Sequence, residues 1–127
     1  MKEIITTLNA PEAIGPYSQG VRANGFVYVS GQLPINPATG SFPPGGIEEQ
    51  TEQSIKNIMA ILQKAGCSLQ DVVKTTVFLS DMKDFTAMNK VYAKYFCGDY
   101  PSRSAVQAAA LPKNAMVEIE AIACVSD

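Results

Sequence analysis

This 127-residue chain has no histidine, so the side chain that most often carries protons near neutral pH is missing. Ser-His and Cys-His nucleophile pairs are therefore excluded, and triad hydrolysis with them. Arginine is scarce, at Arg22 and Arg103 only. Cys67, Cys97 and Cys124 are far apart and form no CxxC pair, which points to reduced thiols in a cytosolic protein. Without histidine or clustered cysteine a zinc site lacks ligands, whereas an all-carboxylate magnesium site is compatible with the composition. No GxGxxG or P-loop motif is present, so no nucleotide cofactor is expected, and none of another kind. The N-terminal stretch Met1–Leu8 is not the apolar core of a leader, and no run reaches membrane-spanning length. A cytoplasmic location without membrane contact is expected.

What is present describes a globular protein. Apolar residues make up 46% and charged residues 17%, enough to fold and too apolar for disorder. The length predicts one domain spanning residues 1–127. A net charge of -2 and a pI near 5.1 give no electrostatic footprint for nucleic acid or an anionic membrane. Lys83, Lys90 and Lys94 fit a solvated helix face.

Asn24-Gly25 lies between Val21–Ala23 and Phe26–Ser30, the strongest short-range hairpin signal. A Pro/Gly-rich loop occupies residues 33–46. Over residues 47–65, Ile55, Ile58, Met59, Leu62 and Ala65 repeat at helical spacing, and Gly66 supplies the stop. Val72–Leu79 is β-branched and strand-like. Ser80-Asp81 offers an N-cap to a second helix whose buried side is marked by Phe85, Met88, Tyr92, Tyr95 and Phe96, ending at Gly98. Two last strands, 103–110 and 115–125, are joined by Leu111–Asn114. The order is β-β-α-β-α-β-β, with Ile4–Leu8 as a candidate edge strand. This predicts an α+β fold with two helices on one face of a mainly antiparallel sheet. The uncovered face would be half apolar, which predicts a homo-oligomer.

Strand parity links the scarce arginine to chemistry. Val117, Ile119, Ala121, Ala123 and Val125 form one apolar set, leaving Glu118 and Glu120 on the opposite face. If the last two strands pair as a hairpin with apolar faces aligned, Ala105 lies opposite Glu120, and Arg103 becomes its diagonal neighbour at roughly 7–8 Å. A small ligand then fits between guanidinium and carboxylate. The plainer alternative is a surface ion pair worth about 0–1 kcal/mol. Tyr17 in the loop Ile14–Gly20 is either a packing residue or a pocket cap. Ser30 and Gly31 end a strand, where glycine permits close backbone approach. Asn89 lies beside the apolar stripe of the second helix.

Several ordered segments carry a resemblance. Ala13–Gly20, Ser30-Gly31-Gln32, Val73–Leu79, Met88-Asn89 with Tyr92, Pro101–Ser104 and Val117–Ala123 follow the pattern of the Rid family, the reactive intermediate deaminase A or YjgF-like group. The resemblance implies a chorismate-mutase-like fold packed as a homotrimer with sites in intersubunit clefts. It also implies hydrolysis of 2-imino acids, released by pyridoxal-phosphate-dependent serine/threonine dehydratases, to 2-keto acids and ammonia. Carried over by position, Arg103 would clamp the substrate carboxylate and Glu120 would place or activate water. Tyr17 would close the pocket, and Ser30, Gly31, Asn89 and Ala105 would line it. Many members have cysteine where this chain has Ala105, so a thiol role there is lost.

The chemistry needs neither histidine nor metal. An iminium carbon is already electrophilic, so orientation and the handling of one proton suffice. Two other readings compete. One is a ligand-sensing regulator that binds small carboxylates in the same cleft. The other is an RNA-directed translation inhibitor or ribonuclease, opposed by the acidic pI and by the lack of an aromatic-basic stripe.

Overall fold

The computed structural model describes residues 1–125. Its elements are β1 (Glu3–Ile5), β2 (Gly20–Ala23), β3 (Phe26–Gln32), α1 (Ile47–Lys64), β4 (Val72–Leu79), α2 (Phe85–Tyr95), β5 (Ser102–Gln107) and β6 (Val117–Cys124). They form one six-stranded sheet ordered β1-β2-β3-β6-β4-β5. Every neighbouring pair is antiparallel except β4 and β5, which run parallel. The fold is thus α+β, as the element order predicts, with β1 as a shorter edge strand than Ile4–Leu8.

Local chemistry accounts for the elements. Asn24 and Gly25 both take positive φ, 51° and 79°, the backbone a two-residue type I′ hairpin requires. α1 buries Ile55, Ile58, Ile61 and Leu62 completely. Met59, expected in that stripe, is 39% exposed, because it sits one residue, about 100°, round the helix from Ile58. Ile61 takes its place. Asp81 caps a short 3-10 turn (Met82–Asp84) that leads into α2, accepting a hydrogen bond from the Lys83 amide at 2.9 Å.

The core lies between the helices and one sheet face. Val27, Val29, Val77, Leu79, Val117, Ile119, Ala121 and Ala123 meet Ile55, Ile58, Leu62, Met88, Val91 and Tyr92. Each large aliphatic side chain buried there contributes about 1.5–3 kcal/mol relative to an exposed position. The alternation of buried and accessible residues along β6 matches its predicted parity. Arg22 serves structure: its guanidinium donates to the Ala65 carbonyl at the C-terminus of α1, where orphan carbonyls and the helix dipole favour a cation.

The predicted tail hairpin does not form. β5 pairs with β4 in parallel, and β6 lies on the other side of β4. Arg103 is in register with Thr75, which in turn faces Ala121. Thr75 and Ala121 are both buried on the helix side, so Arg103 points there too. Glu118 and Glu120 occupy the open face with Phe78 and Thr76 as neighbours. The diagonal pairing of Arg103 with Glu120 is therefore overturned. Two inter-strand steps, roughly 10 Å, and the thickness of the sheet separate them. The physical reason is strand character. β6 presents four buried residues on one face and belongs at the sheet centre, whereas β5 has no fully buried residue and suits an edge.

Candidate functional site

The predicted site residues fall into two groups on opposite faces of the sheet. The first group surrounds a cavity of about 640 Å³ on the open face, lined by Tyr17, Ser30, Gly31, Glu118, Glu120 and Lys113, among others. The loop that carries Tyr17 is held by one buried amide. Gln19, 3% exposed, accepts from the Thr7 amide at 2.7 Å and donates to the carbonyls of Thr7, Ala10 and Pro11. Tyr17 itself is half exposed, free to meet a ligand or another chain. Ser30 donates its hydroxyl to the Ser18 carbonyl at 2.6 Å, tying the same loop to β3.

Between Val29 and Gln32 the β3–β6 register shifts, the mark of a bulge, a feature that often re-aims side chains beside sites. Gly31 sits in that shift, and its missing side chain matters. A Cβ there would overlap Glu118 Oε2 and lie 3.0 Å from Cδ and 3.3 Å from Cγ. The Glu118 carboxylate thus rests against bare backbone, which fixes where it points. Burial pushes its pKa above the ordinary carboxylate value, and the charge of Glu120 adds to the rise. Glu120, two residues on along the same face, is exposed. Of the two carboxylates, Glu118 has the environment of an acid/base group. Sequence parity put both on one face but could not rank them; the glycine across the bulge was the available clue.

The second group lies on the helix side, at the β5 edge. Arg103 Nη1 donates to Asn89 Oδ1 on α2 at 2.7 Å. The guanidinium carbon stands 4.8 Å from the Tyr92 ring centre and 5.5 Å from that of Phe85, within cation–π range. Tyr92 is itself fixed by a 2.7 Å hydrogen bond to Thr75 and by stacking on Phe96 at 4.4 Å. Among the described residues, no carboxylate reaches ion-pair distance of Arg103. A cation held in place by neutral partners, with donors to spare, is suited to an incoming anion. Beside it opens a cavity of about 430 Å³ lined by Asn89, Tyr92, Ala93, Tyr100, Pro101 and Arg103. Ala105, two residues along β5, packs against the core and lines neither cavity. Periodicity read Tyr92 only as a core residue; its role in shelving Arg103 comes from the parallel β4–β5 register.

One copy of the chain therefore brings Tyr17, Ser30, Gly31 and Glu120 together, and separately Arg103 with Asn89. Among the described residues, no group of three histidine, cysteine, aspartate or glutamate side chains is arranged to hold a metal ion. No helix there is long and apolar enough to cross a membrane.

Comparison with known proteins follows the same residues. Residues 7–125 match the family profile described as endoribonuclease L-PSP. The chain belongs to this YjgF/Rid family. A RutC family protein of Pyrococcus horikoshii is 54% identical over 123 residues, covering 97% of this chain and 98% of that protein. The 2-iminobutanoate/2-iminopropanoate deaminase of mouse is 50% identical, covering 97% and 91%. Escherichia coli TdcF, solved with bound serine, superposes with a TM-score of 0.93 at 46% identity, covering 98% of this chain and 99% of that one. Rid membership thus accounts for the α+β fold and for the segments that carried the resemblance.

Proposed function

We propose that this Rid protein is a cofactor-independent 2-imino-acid deaminase, converting 2-iminobutanoate and 2-iminopropanoate to 2-keto acids and ammonia. It works as a cytoplasmic homotrimer of single domains spanning residues 1–127, with each site assembled from two subunits. The observation that carries this reading is the pair of incomplete half-sites. Arg103, held by Asn89 but facing no carboxylate, lies at a sheet edge; Glu118, resting on Gly31, lies on the open face. Phe26, Tyr28 and Val106, all more than a third exposed on the open face, supply apolar surface for a neighbouring copy.

In this reading Arg103 binds the substrate carboxylate with paired charge-assisted hydrogen bonds. Glu118 accepts a proton as water adds to C2 of the iminium and returns it to nitrogen; as the C2–N bond breaks, the C2 hydroxyl proton passes to the departing ammonia. The products are the keto acid and ammonium, and Glu118 ends as it began. Its upward-shifted pKa suits a group that must serve as base and then as acid. This moves the acid/base role from Glu120 to Glu118 and leaves Glu120 acting through its charge. Tyr17 closes the cavity and Ser30 anchors the loop that carries it. The naming of the mouse relative and the serine bound in TdcF support a site for small amino-acid-like carboxylates. The dehydratases that release such imines are the expected source.

An RNA-directed role fits this surface less well. The open-face cavity is lined by Glu12, Glu118 and Glu120, which repel a phosphate backbone. The deciding experiment couples a threonine dehydratase to this protein and follows keto-acid formation above the spontaneous rate, alongside sedimentation to establish the assembly. Saturable keto-acid binding without acceleration would instead support a ligand-sensing regulator, and a monomer with full activity would refute the shared site.

A further inference from the structure

The cavity beside Arg103 has two chemically different ends. One is the Arg103–Asn89 pair, joined at 2.7 Å. The other is apolar, made by Ala93, Pro101 and the ring of Tyr100. Asn89 and Ala93 are four residues apart on α2, so the ends are separated by about one helical turn, roughly 5–6 Å. That is the length of a side chain of three to four carbons. The cavity volume of about 430 Å³ also exceeds what a two-carbon side chain fills. Tyr100 is 61% exposed, and no hydrogen bond holds its hydroxyl among the described residues. It stands two residues after Gly98, whose φ of 88° turns the chain out of α2, and just before Pro101, which restricts its backbone. A large ring is thus placed on a short, directed connection against the cavity, with no packing role in the core.

We propose that Tyr100 and Ala93 form a side-chain subsite that makes this protein prefer 2-imino acids with apolar side chains of three or four carbons over those with one or two. This rests on Arg103 binding the substrate carboxylate, as in the deaminase reading. With the carboxylate on Arg103, C2 faces out of the cavity and the side chain lies along α2 toward Ala93 and Tyr100. Each further buried methylene favours binding by about 0.8 kcal/mol, or roughly fourfold. The ring of Tyr100 covers the far end and excludes water from it.

The test measures dissociation constants for 2-oxobutanoate and 4-methyl-2-oxopentanoate by calorimetry. It also measures kcat/KM for the two corresponding imines, generated freshly by an amino-acid oxidase. The wild-type protein is expected to favour the longer acid about fifteenfold, from its two extra carbons. Tyr100→Ala should cut that ratio to about twofold and Tyr100→Phe should keep it. Ala93→Leu, which fills the apolar end, should reverse it in favour of the shorter acid. Thermal melts confirm that each variant is folded. Equal affinities in the wild type, or a ratio indifferent to Tyr100→Ala and Ala93→Leu, would overturn the subsite. A length preference in keto-acid binding without imine hydrolysis would leave the subsite standing and refute the deaminase reading.

Discussion

Replacing Gly31 with alanine adds one methyl group where the geometry leaves no room for it. The new Cβ would overlap Glu118 Oε2 and stand 3.0 Å from Cδ and 3.3 Å from Cγ. Ordinary carbon contacts lie at about 3.5–4.0 Å, so the carboxyl group must retreat by roughly 0.5–1 Å. It can do so, because the obstructing atoms are the end of a flexible side chain. The backbone of Gly31 is not in the left-handed region, so alanine brings no conformational strain there. It also narrows the unfolded ensemble, an effect worth about 0.4–1 kcal/mol in favour of folding. Stability should therefore hold or rise slightly, while the acid/base group is displaced. A 1 Å misplacement can cost on the order of a hundredfold in rate. The expectation is a loss of ten- to a hundredfold in kcat/KM for 2-iminobutanoate, with keto-acid affinity changed less than threefold and an unchanged or higher Tm. Full activity at an unchanged Tm would show that the placement of Glu118 does not matter. A fall in Tm of several degrees would show that Gly31 is needed for folding instead.

Arg103→Ala removes two charge-assisted hydrogen bonds to substrate, each worth about 1.5–3 kcal/mol. It should lower kcat/KM by a hundredfold or more without changing the sedimenting mass; an effect below threefold would refute the clamp. Glu118→Gln should abolish turnover, whereas Glu120→Gln should reduce it by tenfold or less; the opposite order in steady-state kinetics would return the acid/base role to Glu120. Because the Glu118 pKa is raised above the ordinary 4.5, its protonated form is favoured in the folded protein. That contribution is full below 4.5 and is lost as pH rises through the raised value. Glu118→Gln should flatten this stretch of the stability–pH curve in urea titrations. The acid limb of kcat/KM should sit above the ordinary carboxylate range. Tyr92→Phe leaves the buried Thr75 hydroxyl without its 2.7 Å partner, which should cost about 1–3 kcal/mol in denaturant unfolding; no loss would mean that Thr75 finds another partner.

The strands, both helices and the parity of β6 were legible because each is a local pattern. Asn24-Gly25 dictates its own turn, and Val117, Ile119, Ala121 and Ala123 alternate with polar neighbours whichever strands flank them. The partner of β5 is not a local property. Nine residues separate β5 from β6, short enough for a hairpin to be the direct connection. Yet α2 carries the chain back to the β4 edge and leaves β5 there in parallel, as crossover helices do. Lys113 and Asn114 then take positive φ, 57° and 58°, as the chain turns from the edge back to the sheet centre. No residue in 103–120 announces this alone. The error moved Arg103 to the wrong face. Likewise, Glu118 and Glu120 have identical parity, and only the close approach of Gly31 tells them apart.

The opposed half-sites lead to a complementation experiment that a single-copy site would fail. Within one chain, the sheet stands between the groups, and no rotation of the Arg103 or Glu118 side chain brings both to one small ligand. If a neighbouring copy supplies the missing half, Arg103→Ala and Glu118→Gln damage different sides of the same interface. In a cyclic, head-to-tail assembly each interface joins the Arg103 side of one subunit to the Glu118 side of the next. Unfolding the two inactive variants together and refolding them at equal amounts yields mixed rings. About one quarter of their interfaces pair an intact Arg103 with an intact Glu118, since each side is intact half the time. The mixture should therefore recover about one quarter of wild-type activity per site, while each variant refolded alone stays inactive. A site made within one chain predicts no recovery, because every subunit lacks one essential group. Recovery thus requires that the two half-sites meet between copies, and its absence in verified mixed rings would refute a site shared between the Arg103 side of one subunit and the Glu118 side of the next.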